Sequence, residues 1–166
     1  MSFAIALDGT AGAGKSTIAK RIAAHMGILY LDTGAMYRAI GLKAMRQGII
    51  AKDEAQVSAM LVQTVLDVRF VDGAQQVWLD GENVSDAIRT PEAALAASDV
   101  STLPVVRRHL VDLQRGIAKR QSMLLDGRDI GTYVLPDAPY KFFLTASLDE
   151  RAHRRLPARG GPDPRR

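Results

Sequence analysis

No cysteine occurs among the 166 residues, so a disulfide framework, a cysteine-based zinc site and a thiol nucleophile are all excluded. The opening "MSFAIALDG" lacks a basic leader and an export-length apolar stretch, and no later run approaches a membrane span. A soluble, cytoplasmic chain without membrane partners is expected. Internal repeats are lacking, and so is low complexity before the last residues, so disorder is not the default for a chain with 47% apolar and 24% charged residues. The body also lacks a basic excess. The net charge is +4, but residues 151–166 hold six arginines and one aspartate, while residues 1–150 carry 16 basic and 17 acidic groups. That distribution argues against a nucleic-acid partner. The length suits one compact domain.

What is present has the rhythm of an α/β protein. "FAIALD" is a short apolar run bounded by glycine, as in a buried parallel strand. "KSTIAKRIAAHMG" then reads as a helix with Ile18, Ile22 and Met26 four apart and Gly27 as its C-cap. "ILYLDTG" predicts a second strand, "AMYRAIGLKAMRQG" a helix closed by Gly48, and "KDEAQVSAMLVQTVL" a helix from about Asp53 to Leu66. The texture changes in "DVRFVDGAQQVWLDGENVS", where alternation around Asp72-Gly73 and Asp80-Gly81 predicts an inserted β-meander. Thr90 and Pro91 open a further helix as N-cap and first residue. A long helix follows Pro104, "SMLLDGRD" and "YKFFLTAS" restore the buried-strand pattern, and "LDERAHRR" begins another helix.

Gly9, Gly14, Lys15 and Ser16 match G-x-x-x-x-G-K-[ST], the Walker A pattern, between a strand and a helix. The loop Gly9, Thr10, Ala11, Gly12, Ala13, Gly14, Lys15, Ser16 and Thr17 would wrap a nucleotide's phosphates with its N–H groups at a helix N-terminus. Lys15 would reach the β and γ phosphates, and the Ser16 hydroxyl would sit on Mg²⁺. Such a loop does not by itself choose among a GTPase, an ATPase and a small-molecule kinase. A guanine-reading "NKxD" stretch is lacking, which lowers the GTPase reading. Asp126 ends an apolar strand in "LLDGRD", where a carboxylate can bind the same ion; the alternative is a turn residue before Gly127.

A kinase for a nucleoside monophosphate needs a second phosphate site, for which arginine's fork is suited. Arg38 in "TGAMYR" and Arg128 in "DGRD" each follow a strand's C-terminal end, where open α/β sheets place ligands. For each, a surface salt bridge is the competing reading.

With these stretches in place, the chain resembles the bacterial cytidylate kinases, which move the ATP γ-phosphate to CMP or dCMP. "IALDGTAGAGKST", "YLDTGAMYRA", "DVRF", "GENVSDAIRTPE", "AASDVS", "PVVRRHLVDLQR", "DGRDIGTYVLPDA" and "KFFLTAS" carry the resemblance, in order over about residues 3–155. It implies a parallel sheet of order 2-3-1-4 flanked by helices, with the meander in an enlarged monophosphate-binding region at about 36–100. Lys15, Arg38 and Arg128 would be the catalytic cations, with ATP as donor and Mg²⁺ held through Ser16 and Asp126. Thr33 would lie near the CMP phosphate, with Arg38 and Arg128 binding it. Ser98, Arg107 and Asp129 would recognise cytosine, whose amino donor and N3 and O2 acceptors suit one carboxylate and one arginine. The acceptor phosphate is already ionised at neutral pH, so His25, His109 and His153 are expected on helix surfaces without catalytic roles. A monomer is implied.

The resemblance fades near "ERAHRR", where "LPARGGPDPRR" begins; its prolines and adjacent glycines predict an irregular basic tail over 156–166. The family continues through a mobile lid, another strand and terminal helices. The expectation is therefore a truncated chain with a locally intact phosphate site, slow turnover and one open sheet edge prone to aggregation. Competing readings are a P-loop kinase for UMP, AMP or shikimate, or a nucleotide-binding remnant without activity.

Overall fold

The chain runs β1 (Ala4–Gly9), α1 (Lys15–Met26), β2 (Leu29–Asp32), α2 (Thr33–Arg46), α3 (Glu54–Val62), β3 (Leu66–Val71), β4 (Ala74–Leu79), β5 (Glu82–Asn83), α4 (Pro91–Val100), α5 (Pro104–Ala118), β6 (Met123–Asp126), β7 (Tyr140–Leu144) and α6 (Leu148–Arg155). The computed structural model describes residues 2–155, with side chains as far as Ala152. The expected tail over 156–166 and the side chain of His153 lie outside the described residues.

β2, β6, β1 and β7 form one parallel sheet in that order, which is the 2-3-1-4 order expected when these four strands are counted along the chain. Alternation along the strands divides the core into two layers. Ile5, Leu7 and Leu124 face Ala19 and Ala23 of α1. Ala6, Leu31, Met123 and Leu125 face the larger core built with α2, α3 and α5, including Met36, Ile40 and Leu110. The apolar face of α1 differs from the expected stripe. Ala19 and Ala23 are buried, because small side chains let the helix lie close to the sheet, while Ile18 and Met26 are about half exposed at 40% and 47%.

The meander is a separate antiparallel sheet of order β3-β4-β5. Both of its turns have the predicted chemistry: Asp72-Gly73 and Asp80-Gly81 all take positive φ, as tight hairpin turns require. Two ion pairs tie it to α2. The Lys43 ammonium, almost fully buried, lies 2.6 Å from Asp80 and donates to the Gln63 carbonyl, and Arg46 grips Glu82 with both terminal nitrogens. Thr90 caps α4 through Ala93 N–H with Pro91 at the first helical position. At Gly41, a β-carbon would stand 2.8 Å from the Ala97 nitrogen, so α2 and α4 cross at a distance only glycine permits.

Two expectations need correction. The helix predicted to about Leu66 ends at Val62: the Thr64 hydroxyl turns back to the Met60 carbonyl, the Val65 N–H donates to Asp80, and Leu66 already pairs with Leu79. β7 reads as a buried strand, yet Phe142 and Phe143 are 57% and 65% exposed. Among the described residues this outer strand pairs only with β1, and neither face is covered by a packed helix.

Gly9 of β1 pairs with Leu144 of β7; its φ is 149°, and an added β-carbon would stand 2.1 Å from the Leu144 carbonyl oxygen. Gly9→Ala is therefore expected to lower stability by about 2–4 kcal/mol, read as a fall in the urea midpoint. An unchanged midpoint would mean that β7 gives way freely.

Candidate active site

Three strands carry an aspartate at or next to their C-terminal end, on the same edge of the sheet: Asp8 on β1, Asp32 on β2 and Asp126 on β6. Parallel pairing sets Asp32 beside Asp126 and Leu7 beside Asp126, so the carboxylates converge where the Gly9–Thr17 loop leaves β1. C-terminal strand ends are where such sheets place ligands. In the loop, Gly14 is the left-handed N-cap of α1 and offers no side chain to its first-turn N–H groups, which remain available to an anion. Ala13 is buried and donates its N–H to the Thr10 carbonyl. Ala11 and Gly12 are half-buried, and Thr10, Ser16 and Thr17 are exposed.

Lys15 Nζ donates to the Gly9 carbonyl at 2.8 Å and to the Thr10 carbonyl at 3.0 Å, curled against its own loop. Burial pushes its pKa below the ordinary lysine value; the Asp126, Asp8 and Asp32 carboxylates oppose that shift, and Arg128 adds to it. The Ser16 hydroxyl donates to Asp126 Oδ2 at 2.9 Å, and the Tyr30 hydroxyl donates to the same oxygen at 3.0 Å. Asp126 is 4% exposed, and burial followed by the neighbouring Asp32 raises its pKa, while the two hydroxyls and Lys15 restrain the rise. Tyr30 is pushed well above the ordinary phenol value, first by burial and then by Asp126.

The Thr33 hydroxyl, also buried, donates to the Asp126 backbone carbonyl at 2.7 Å, so it braces the strand end from the α2 side. Arg38, one turn further along α2, lies 2.7 Å from Asp32 Oδ2, while Asp32 Oδ1 caps the helix through Ala35 N–H. Arg128 is exposed and makes no hydrogen bond or ion pair among the described residues, though its charge is felt at Lys15. Arg107 of α5 forms an ion pair with Asp129 and lies 5.6 Å from the centre of the Tyr133 ring. Burial raises the pKa of Tyr37, with Arg107 opposing and Asp129 adding, which marks Tyr37 as a neighbour of that pair. Ser98 is exposed on α4, next to the Ala96–Ala97 contact with Gly41, and its side chain reaches neither Arg107 nor Asp129. His25 is exposed and His109 half-buried, each on a helix as expected.

Several residues of this edge escaped the sequence reading. Asp8 accepts the Ile130 and Gly131 N–H groups at 2.7 and 2.8 Å and so fixes the single π-helical turn Ile130–Val134 that follows Asp129. Its signal was available, since "ALDG" ends an apolar run in aspartate as "LLDG" does. Asp32 had the same signal. Tyr30 lies 96 positions from Asp126 in sequence and had none. Arg151 of α6 sits against Gly12 of the loop, with its Nε buried and unpartnered among the described residues. A cleft of about 710 Å³ opens between α1 and the meander, flanked by Ser16, Tyr30 and Arg38 on one side and Gly73, Gln75 and Arg89 on the other.

A family model described as cytidylate kinase matches residues 5–161. The chain belongs to the cytidylate kinase family. It is similar to the cytidylate kinase of Caldicellulosiruptor bescii, at 51% identity over 152 residues, covering 92% of this chain and 67% of that protein. The cytidylate kinase of Symbiobacterium thermophilum is 50% identical over 153 residues, 92% of this chain and 68% of that protein. A bifunctional pantoate ligase/cytidylate kinase from a Synechococcus species is 49% identical over 154 residues, 91% of this chain and 28% of that protein. The chain thus spans about two thirds of the length of the single-function cytidylate kinases it matches.

Burial of the Asp126 carboxylate disfavours its ionised form in this cytidylate kinase family fold. A raised folded pKa means that the native state gains a proton before the unfolded state does as pH falls. Asp126→Asn, which keeps an oxygen acceptor for Ser16 and Tyr30, is expected to raise Tm at neutral pH. The difference from the unsubstituted chain should shrink as pH falls through the raised pKa and level off below the ordinary value of 3.8. A lower Tm for Asp126→Asn at neutral pH would contradict this.

Proposed function

We propose that this cytidylate kinase family member transfers the γ-phosphoryl group of ATP to CMP or dCMP, giving ADP and CDP or dCDP. The observation that carries the reading is the meeting of the Ser16 hydroxyl and the Asp126 carboxylate at 2.9 Å beneath the glycine-rich loop and Lys15. Two hard oxygen donors side by side suit Mg²⁺, which takes few protein ligands and completes its octahedron with phosphate oxygens and water. Among the described residues no group of three or more His, Asp or Glu side chains competes as a metal centre. When bound with ATP, Mg²⁺ would neutralise charge on the donor phosphates.

Lys15 leaves the Gly9 and Thr10 carbonyls for the β and γ phosphates, where the loop N–H groups and the start of α1 favour the same anion. Arg38 and Arg128 receive the CMP phosphate. Arg128 is unpaired among the described residues, and Arg38 is presented by Asp32. The acceptor oxygen is ionised at neutral pH, so holding the two phosphates in line and neutralising their charge does the work without a general base. Arg107 and Asp129 supply a donor and an acceptor side by side, as the edge of cytosine requires. The region from about 36 to 100, with α2, the meander and α4, serves as the monophosphate-binding part. Ser98 completes the cytosine contacts once α4 approaches the base.

The test is CMP-dependent ADP release by this chain. Lys15→Ala is expected to reduce it by about 10²–10³-fold or more. Arg107→Ala should raise the KM for CMP about tenfold through the lost base contact, with the KM for ATP unchanged. Preference for AMP over CMP would overturn the cytosine assignment, and turnover that survives in Lys15→Ala would overturn the phosphate-loop mechanism.

A further inference from the structure

We infer that Gln75 of the meander is a positioning residue that sets Arg38, acting through Asp32. Among the described residues β2 is the outermost strand of the parallel sheet on its side, and no strand beyond it satisfies the Asp32 backbone. The Gln75 carboxamide takes the place of one. Its Oε1 accepts the Asp32 N–H at 2.7 Å, and its Nε2 donates to the Asp32 carbonyl at 3.2 Å. A side chain 43 positions away thus completes the sheet edge at the single residue where β2 turns into α2.

The other polar groups of Asp32 are engaged as well. Oδ1 accepts the Ala35 N–H at 3.1 Å, and Oδ2 accepts from Arg38 at 2.7 Å. The Asp32–Arg38 pair is 29% and 28% exposed, and a partly solvated ion pair holds its geometry weakly when either partner is free to move. Fixing the Asp32 backbone from both sides removes that freedom and aims its carboxylate. Gln75 can do so because β4 is itself immobilised: Val77 and Leu79 are buried, Gln75 pairs across the hairpin with Phe70, and Lys43 holds Asp80 from α2. The meander, which contributes none of the arginines assigned to phosphate, therefore sets the direction of one of them.

This inference rests on the reading that Arg38 binds the CMP phosphate, and two readouts separate the two claims. Gln75→Ala and Gln75→Glu are made in the full chain. The glutamate keeps the size of glutamine and can accept the Asp32 N–H but cannot donate to its carbonyl. Without substrate, hydrogen exchange at the Ala35 amide should quicken about tenfold in both variants as its acceptor loosens, and the Arg38 guanidinium NMR signal should shift or broaden. With substrate, the calorimetric Kd for CMP should rise about tenfold, the Kd for ATP should stay unchanged, and Tm should fall by less than about 3 °C. Unmoved Ala35 and Arg38 signals would overturn the inference, as would equal losses of CMP and ATP affinity accompanied by a large fall in Tm. If the unsubstituted chain does not bind CMP, the reaction proposed above falls, and the substrate-free signals of Ala35 and Arg38 still decide the role of Gln75.

Discussion

A carboxylate buried to 4% exposure organises the site edge of this fold. Taking Asp126 out of water costs several kcal/mol, and each charge-assisted hydrogen bond it accepts returns about 1.5–3 kcal/mol. Ser16 and Tyr30 supply two such bonds to the same oxygen, and Thr33 holds the backbone carbonyl of the same residue. One position on β6 is therefore joined to the loop helix, to β2 and to the start of α2. Its raised pKa records that the compensation is incomplete, which leaves the carboxylate disposed to accept a cation.

The neighbouring strand ends follow the same design with different partners. Asp8 orders the π-helical turn after Asp129 through two amides, and Asp32 caps α2 and holds Arg38. Asp32 thus directs the helix that follows its own strand, and Asp8 directs the turn that follows the neighbouring β6. This is how a sheet built from short apolar runs places Lys15, Arg38 and Asp129 along one edge, with Arg107 paired to Asp129. The sheet order β2-β6-β1-β7 puts the loop-bearing β1 next to β6, so Ser16 and Asp126 meet although they lie 110 positions apart.

Much of this was legible because local chemistry dictates it. The spacing of Gly9, Gly14, Lys15 and Ser16, the Asp-Gly turns at 72–73 and 80–81, and the Thr90-Pro91 helix start each have one physical meaning, and each folds as read. Arg38, Arg107, Asp126 and Asp129 also stand out in the sequence, and the structure pairs them with Asp32, with Ser16 and with one another at the C-terminal strand ends. What stayed hidden was decided over distance. Tyr30 and Gln75 are ordinary strand residues until the fold brings them to Asp126 and Asp32. The apolar pattern of β7 does not tell whether another element covers it, and Phe142 and Phe143 are consequently exposed where burial was expected. α3 stops short of Leu66 because the Thr64 hydroxyl takes the Met60 carbonyl of the last turn and the Val65 N–H finds Asp80 outside the helix.

In the reaction proposed above, Asp126 and Ser16 would together hold a cation that accompanies the phosphate donor. The most direct measurement is the Mg²⁺ concentration required for half-maximal CMP-dependent ADP release, at fixed ATP and CMP, in the unsubstituted chain and in Asp126→Glu. The glutamate keeps the charge but cannot keep the 2.9 Å geometry to Ser16. The substitution is expected to raise the Mg²⁺ requirement about tenfold or more while the KM for CMP changes little. An unaltered Mg²⁺ requirement would contradict this role of Asp126.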